Sequence, residues 1–255
     1  MTLLLLCWAG LSAALPLAYG ADRKEIVRSA RQSYYSLKDE GLTEFRCQVS
    51  LDWESTFKAL KADAVGRDQV LPVLKKTHFE LLVGQSGAST VSHQSEVAPP
   101  TEEVAERIRK VTGGIEQVLT GFMHTWSMFM MEPPLPAVDS EYQLEDLGEK
   151  YRLTYKEGPA NVVTSMTHDF AIEEMTVTAP ELEGTVRPHF ARNKNGFVLV
   201  GYEATYKAGS SGPQQLSVKV EYKKFEGLNL PSTVTATVNP VEIVLTFTDY
   251  QVKKR

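Results

Sequence analysis

Glu44-Phe45-Arg46-Cys47-Gln48-Val49-Ser50-Leu51-Asp52-Trp53 sets five polar residues against five apolar ones in strict alternation. Successive side chains of a strand point to opposite faces, so this period of two predicts a β-strand with one wet face and one dry face. A dry face needs a cover, and the flanking sequence supplies candidates. Upstream, Asp22 to Lys38 places Ile26, Ala30, Tyr34 and Leu37 at helical spacing, with Gly41 positioned to end the helix. Downstream, Glu54 to Lys75 carries Phe57, Leu60, Ala64, Val70, Leu71 and Leu74 and reads as a helix in two pieces, interrupted near Gly66 and again near Pro72. His78 to Val83 and Ala88 to Gln94, separated by Gly84-Gln85-Ser86-Gly87, form a predicted hairpin.

Pro99-Pro100 closes this region. Thr101 then offers an N-cap, and Glu102 and Glu103 follow where a helix dipole favours acid. From Val104 through Ile108, Val111, Ile115, Val118, Phe122, Trp126 and Phe129 the apolar steps are three or four, which predicts a helix of about seven turns stopped by Pro133-Pro134. Gly113-Gly114 marks a place for a kink.

Everything after Pro136 is strand-like. Val198, Val200, Tyr202 and Ala204 alternate with polar residues, as do Leu216, Val218, Val220 and Tyr222, and later Val241, Ile243, Leu245 and Phe247. Turn residues at Gly158-Pro159, Asn193 to Gly196, Gly209 to Pro213, Gly227 and Asn239-Pro240 divide the run, so an antiparallel meander of about seven or eight strands is expected. Near Phe247 the apolar phase slips by one, to Tyr250 and Val252, which signals a bulge or a strand end. Pro188 in Arg187-Pro188-His189-Phe190 signals an edge or a bulge. No charge block, repeat or linker divides the two halves, so residues 21–255 are read as one α+β domain. Its expected form is a curved antiparallel sheet, an open half-barrel, with amphipathic helices over its concave face.

Two stretches carry a family likeness. Gly41-Leu42-Thr43-Glu44-Phe45, leading from a helix into an alternating strand, resembles the opening of the LolA/LolB-like periplasmic lipoprotein-carrier superfamily. Val220-Glu221-Tyr222-Lys223-Lys224-Phe225-Glu226-Gly227-Leu228-Asn229-Leu230-Pro231, followed by Phe247-Thr248-Asp249-Tyr250-Gln251-Val252, resembles the C-terminal strands of its outer-membrane lipoprotein-sorting relatives. The resemblance implies an unclosed β-barrel capped by helices, with acyl chains held between them. The chain lacks the Arg-Pro and Trp signature of the early LolA strands, and the Glu54–Lys75 insertion has no counterpart there, so no functional residue is carried over.

The first 20 residues read differently from the rest. Thr2 to Tyr19 is uncharged and rich in Leu and Ala, and Ala18-Tyr19-Gly20 places small residues for cleavage before Ala21. This is the pattern of a secretory signal, with an uncleaved anchor as the alternative. The basic n-region is missing while Arg23 and Lys24 follow the apolar run, which points to a start upstream of Met1. Export would place the mature chain in the periplasm or outside the cell. Cys7 would leave with the signal, and Cys47, on the dry side of its strand, would remain as a buried thiol.

Across the whole chain 42% apolar and 23% charged residues describe a folded globular protein, and 27 Lys and Arg against 32 Asp and Glu leave a net charge of −5. That balance excludes a general nucleic-acid binder. No zinc-ligand spacing, nucleophile elbow, phosphate loop or dinucleotide fingerprint occurs, so neither a cofactor nor a metal is expected and the chain is read as non-enzymatic. His78 and His93 would meet across the hairpin; His168-Asp169, and Glu173-Glu174, would point to opposite faces of a strand.

The stretch richest in ligand-binding chemistry is Met123-His124-Thr125-Trp126-Ser127-Met128-Phe129-Met130-Met131, which holds four of the seven Met residues. Flexible thioethers beside aromatic rings suit an adaptable apolar pocket, and equally suit an irregular core. As a pocket, its wall would be Phe122, Met123, Trp126 and Met130, faced by Phe45 and Trp53 from the first strand. The expectation is therefore a periplasmic protein that binds an acyl chain or another hydrophobic ligand, a lipid or lipoprotein carrier. The alternative is an envelope structural or interaction module whose interior is fully packed.

Overall fold

The computed structural model describes residues 15–59, 64–180, 182–208, 214–238 and 241–255. The part of the expected signal segment before residue 15, Leu60 and the predicted turns Gly209 to Pro213 and Asn239-Pro240 lie outside them. Helix α1, Leu15–Gln32, spans the expected cleavage point and ends six residues short of Lys38. Its end is set by backbone pairing elsewhere: Tyr34 makes a parallel bridge with Phe197, and the Tyr35 N–H donates to the Phe197 carbonyl at 3.0 Å.

Strand β1, Leu42–Leu51, buries Phe45, Cys47 and Val49 and exposes Arg46, Gln48 and Ser50, as its alternation predicts. It stops short of Trp53 because Asp52 caps a helix. The Asp52 carboxylate accepts the Ser55 N–H at 3.1 Å and the Ser55 hydroxyl at 2.6 Å, opening α2, Trp53–Ala59. Trp53 is thus the first residue of a helix rather than the last of a strand. Helix α3, Ala64–Leu74, runs through both Gly66 and Pro72, so neither breaks it.

Strands β2, Thr77–Gly84, and β3, Ser89–Ser95, form the predicted hairpin. Helix α4, Glu102–Met130, begins at Thr101, whose side chain accepts the Val104 N–H, and continues unbroken past Gly113-Gly114. After it the described residues form nine strands where about seven or eight are predicted: β4, Tyr142–Asp146; β5, Lys150–Glu157; β6, Ala160–Thr167; β7, Ile172–Ala179; β8, Leu182–Asn193; β9, Gly196–Ala208; β10, Gln214–Phe225; β11, Leu228–Val238; and β12, Val241–Lys254.

The twelve strands form one antiparallel sheet in the order β3-β2-β1-β12-β11-β10-β9-β8-β7-β6-β5-β4. It does not close: β3 and β4 are its two edges. The meander β4 to β12 adds each strand beside the last, and β1 then pairs with β12, bringing the N-terminal hairpin onto the end of the chain. The phase slip after Phe247 is a bulge: Asp249 has φ 52° and the β1–β12 register shifts between Arg46 and Gln48. Pro188 lies in an interior strand beside a register shift at His189/Phe190, so it marks a bulge rather than an edge.

The buried apolar residues of sheet and helices form a continuous cluster from Val27 and Ala30 on α1 to Leu245, Phe247 and Tyr250 on β12. Among the described residues no helix is long and apolar enough to cross a membrane.

Candidate functional site

The Met-rich end of α4 is fixed first by its own termination. The last carbonyls of a helix have no intrahelical partner. Here residues 36–38 supply them: Leu37 N–H donates to Met130 O at 2.9 Å, and Lys38 N–H and Ser36 Oγ donate to Met131 O, each at 3.1 Å. Tyr35 Oη in turn accepts the Asn229 N–H at 3.1 Å, and Tyr34 Oη accepts Ile172 N–H at 2.8 Å while donating to Phe170 O at 2.7 Å. The short segment after α1 therefore ties the helix end to β7, β9 and β11.

Around that end the side chains interlock with the sheet. Trp126 Nε1 donates to Tyr222 Oη at 3.0 Å, and Tyr222 Oη donates to the Leu199 carbonyl. The Phe45 ring meets Trp126 edge-on, with centroids 6.1 Å apart and planes at 87°. Phe122 lies 6.1 Å from Phe247, and Phe129 lies 5.8 Å from Phe190. Met130 Sδ accepts the Leu199 N–H at 3.4 Å. Ser127 Oγ is buried with no hydrogen-bond partner among the described residues.

All six residues read as a pocket wall are buried, five of them on β1 and α4 and the sixth, Trp53, on α2. Met123, Trp126 and Met130 are 0% exposed, Phe45 1%, Phe122 2% and Trp53 4%. Trp53 sits apart on α2, its ring 6.3 Å from Phe57 and 6.5 Å from Phe79, and it lines a 220 Å³ pocket with Asp52, Glu54, Lys75 and Thr77. The other five line neither that pocket nor the larger one described below. His124, in the same stretch, is exposed.

The ionisable groups of this interior are held neutral by burial. Cys47 is buried and free, and loss of solvent pushes its pKa up to about 12 despite the neighbouring Tyr250 and Lys223. Burial also raises Tyr34, Tyr202 and Tyr222, and raises Tyr155 to about 12.

The other sequence candidates do not converge. His78 pairs in register with Gln94, whereas His93 pairs with Phe79, so the two histidines face opposite sides of the hairpin. His93 Nδ1 lies 2.7 Å from Glu116 on α4. His168 is 3.5 Å from Asp146, while Asp169 accepts from Thr167. Glu173 pairs with Lys150 and Glu174 with Arg187. Among the described residues no three His, Cys, Asp or Glu side chains group as a metal site.

A groove that the sequence reading missed lies on the opposite face of the sheet. It measures about 810 Å³ and is lined by Glu174, Thr185, Arg187, Glu203, Gln215 and Ser217, among others. These are the polar partners of the same alternations that bury Val186, Tyr202 and Val218. Arg187 and Glu174 pair across it at 2.8 Å. The only sequence signal for it was the polar half of each strand, which any solvated face would also give.

The chain matches no protein-family model, no curated protein and no solved structure.

Proposed function

We propose that the chain is a non-enzymatic interaction module of the cell envelope, exported to the periplasm or beyond, with helices covering the concave face of a curved, open sheet and an interior that is fully packed. One observation carries this reading: the residues best suited to hold an apolar ligand are buried against the sheet. Phe45, Phe122, Met123, Trp126 and Met130 are at most 2% exposed, and their polar atoms and rings are engaged by β9, β10 and β12. A ligand entering there would have to displace side chains worth about 1.5–3 kcal/mol each when buried. Partners then meet the outer surface or a strand edge.

A second reading is a carrier of acyl chains or other apolar ligands, as the LolA/LolB-like resemblance implies. It is favoured by the make-up of the wall itself. Met123, Met130 and Met131 are flexible and soft, and the unpaired Ser127 hydroxyl lowers the cost of parting α4 from its neighbours.

Titration of the full chain with palmitate and with phosphatidylglycerol vesicles separates the two. On the packed-interior reading, tryptophan emission and Tm stay unchanged and native mass spectrometry finds the bare chain. Saturable uptake of one palmitate per chain, with a shift in Trp126 emission, would replace that reading with the carrier.

A further inference from the structure

The two edges of the sheet are finished differently. Along β3 runs α4: Glu116 bonds His93, and a Cβ on Gly87 would lie 3.0 Å from the Ser127 Cβ. Against β4, by contrast, no further strand pairs among the described residues, and it ends the sheet.

The register shows which backbone groups that edge offers. Leu147 N–H donates to Lys150 O at 2.9 Å, so Leu147 and Lys150 form a hydrogen-bonded antiparallel pair. Such pairs alternate along the ladder, so Glu145 with Arg152 and Gln143 with Thr154 also turn their N–H and C=O groups toward each other. The N–H and C=O groups of Tyr142, Leu144 and Asp146 therefore point away from β5, toward the open edge. None of them has a hydrogen-bond partner among the described residues. An unpaired row of this kind is a template for another strand.

Charge selects the occupant. Between positions 139 and 149 the chain carries Asp139, Glu141, Glu145, Asp146 and Glu149 and no Lys or Arg. Lys24 and Arg152 answer two of them and His168 lies 3.5 Å from Asp146, leaving Glu141 and Glu149 exposed and without an ion pair among the described residues. Leu147, just past the strand, is 44% exposed, one of two large apolar side chains so exposed among the described residues. A second copy of this edge would set acid against acid, which disfavours a β4–β4 dimer.

We propose that β4 is a docking edge for an extended, basic partner segment with alternating apolar residues, which adds to the sheet as a thirteenth strand. This rests on the interaction-module reading above and names its surface.

The test is amide exchange by NMR on the full chain with an acetylated Lys-Val octapeptide, beside a Glu-Val octapeptide and a Lys-Val peptide N-methylated at alternate residues. The Lys-Val peptide is expected to slow exchange at Tyr142, Leu144 and Asp146 by about tenfold or more, roughly one hydrogen bond each. The Glu-Val peptide should not bind, and N-methylation on the pairing side should abolish protection. The double variant Glu141→Lys/Glu149→Lys, both at exposed positions, should weaken binding about tenfold while leaving Tm unchanged. Edge amides that stay unprotected, equal binding of the Glu-Val peptide, or self-association through β4 would each overturn the docking edge. Peptide protection elsewhere would overturn this surface but not the interaction reading, which palmitate uptake tests separately.

Discussion

Trp126 Nε1 donates to Tyr222 Oη at 3.0 Å, and the Tyr222 hydroxyl donates in turn to the Leu199 carbonyl, so one phenol joins α4 to two strands of the sheet. Removing that hydroxyl leaves a buried indole N–H and a buried carbonyl unpaired with almost no change in volume. Tyr222→Phe is expected to cost about 1–3 kcal/mol for each group left unsatisfied. In a Trp126→Phe background the same change should cost less, since one of the two groups is already gone. Urea unfolding of the two single variants and the double variant measures the coupling.

Cys47 should be chemically silent in the folded chain. A pKa of about 12 against an ordinary 9.0 holds its thiolate fraction at pH 8 about a thousandfold below that of a free thiol. Iodoacetamide at pH 8, with the modified peptide located by mass spectrometry, should label Cys47 only after denaturant is added. Labelling of native protein within minutes would contradict the packed environment.

The buried phenols predict a steep alkaline limit. Cys47 and Tyr155 both have folded pKa values raised to about 12 by burial, against 9.0 and 10.0 outside, and Tyr34, Tyr202, Tyr222 and Tyr250 are raised for the same reason. For a group raised on folding, the stability gained is present in full below the ordinary pKa and lost as pH climbs toward the folded value. Tm should therefore hold up to about pH 9 and fall between about pH 10 and 12. Absorbance at 295 nm should show these tyrosines ionising together with unfolding rather than one by one near pH 10.

Gly196 has no room for a side chain. Its φ is +111°, and an added Cβ would lie 2.6 Å from the Ser33 carbonyl oxygen, which itself accepts the Phe197 N–H at 2.7 Å. Gly196→Ala combines strain with a displaced hydrogen bond and is expected to cost about 1–3 kcal/mol or more. A matched Gly121→Ala, at an exposed helical position with open space around it, should be neutral or stabilising by up to about 1 kcal/mol.

How far the sequence reached depended on whether local chemistry decided the outcome. The Thr101 cap and the steps from Val104 to Phe129 are local, and α4 lies where they predict. β1 was legible for the same reason, up to the point where Asp52 served a cap instead of a strand. The end of α1 was not legible, because Tyr34 and Tyr35 pair with Phe197, more than 150 residues away. Two strands also escaped simple periodicity. In β7 a register shift near Met166/Ile172 spaces Ile172 and Met175 three apart, and in β8 Pro188 stands beside a bulge. The six candidate residues were correctly placed indoors, yet whether an apolar interior is hollow depends on how sheet and helix side chains interdigitate, which no spacing along one strand records.

The pairing of β1 with β12 also imposes an order in time. During synthesis, each hairpin from β4 onward can find its neighbour as soon as that neighbour emerges, because every partner is adjacent in the chain. Strand β1 has no such neighbour on the side away from β2: Phe45 meets Val252 and Val49 meets Phe247 only when the last strand exists. Until then the outer backbone edge of β1 has no strand to pair with and remains open to chaperones or to other nascent chains. A chain cut short anywhere before β12 would lose more than its final strand; it would leave β1 waiting for a partner that never arrives.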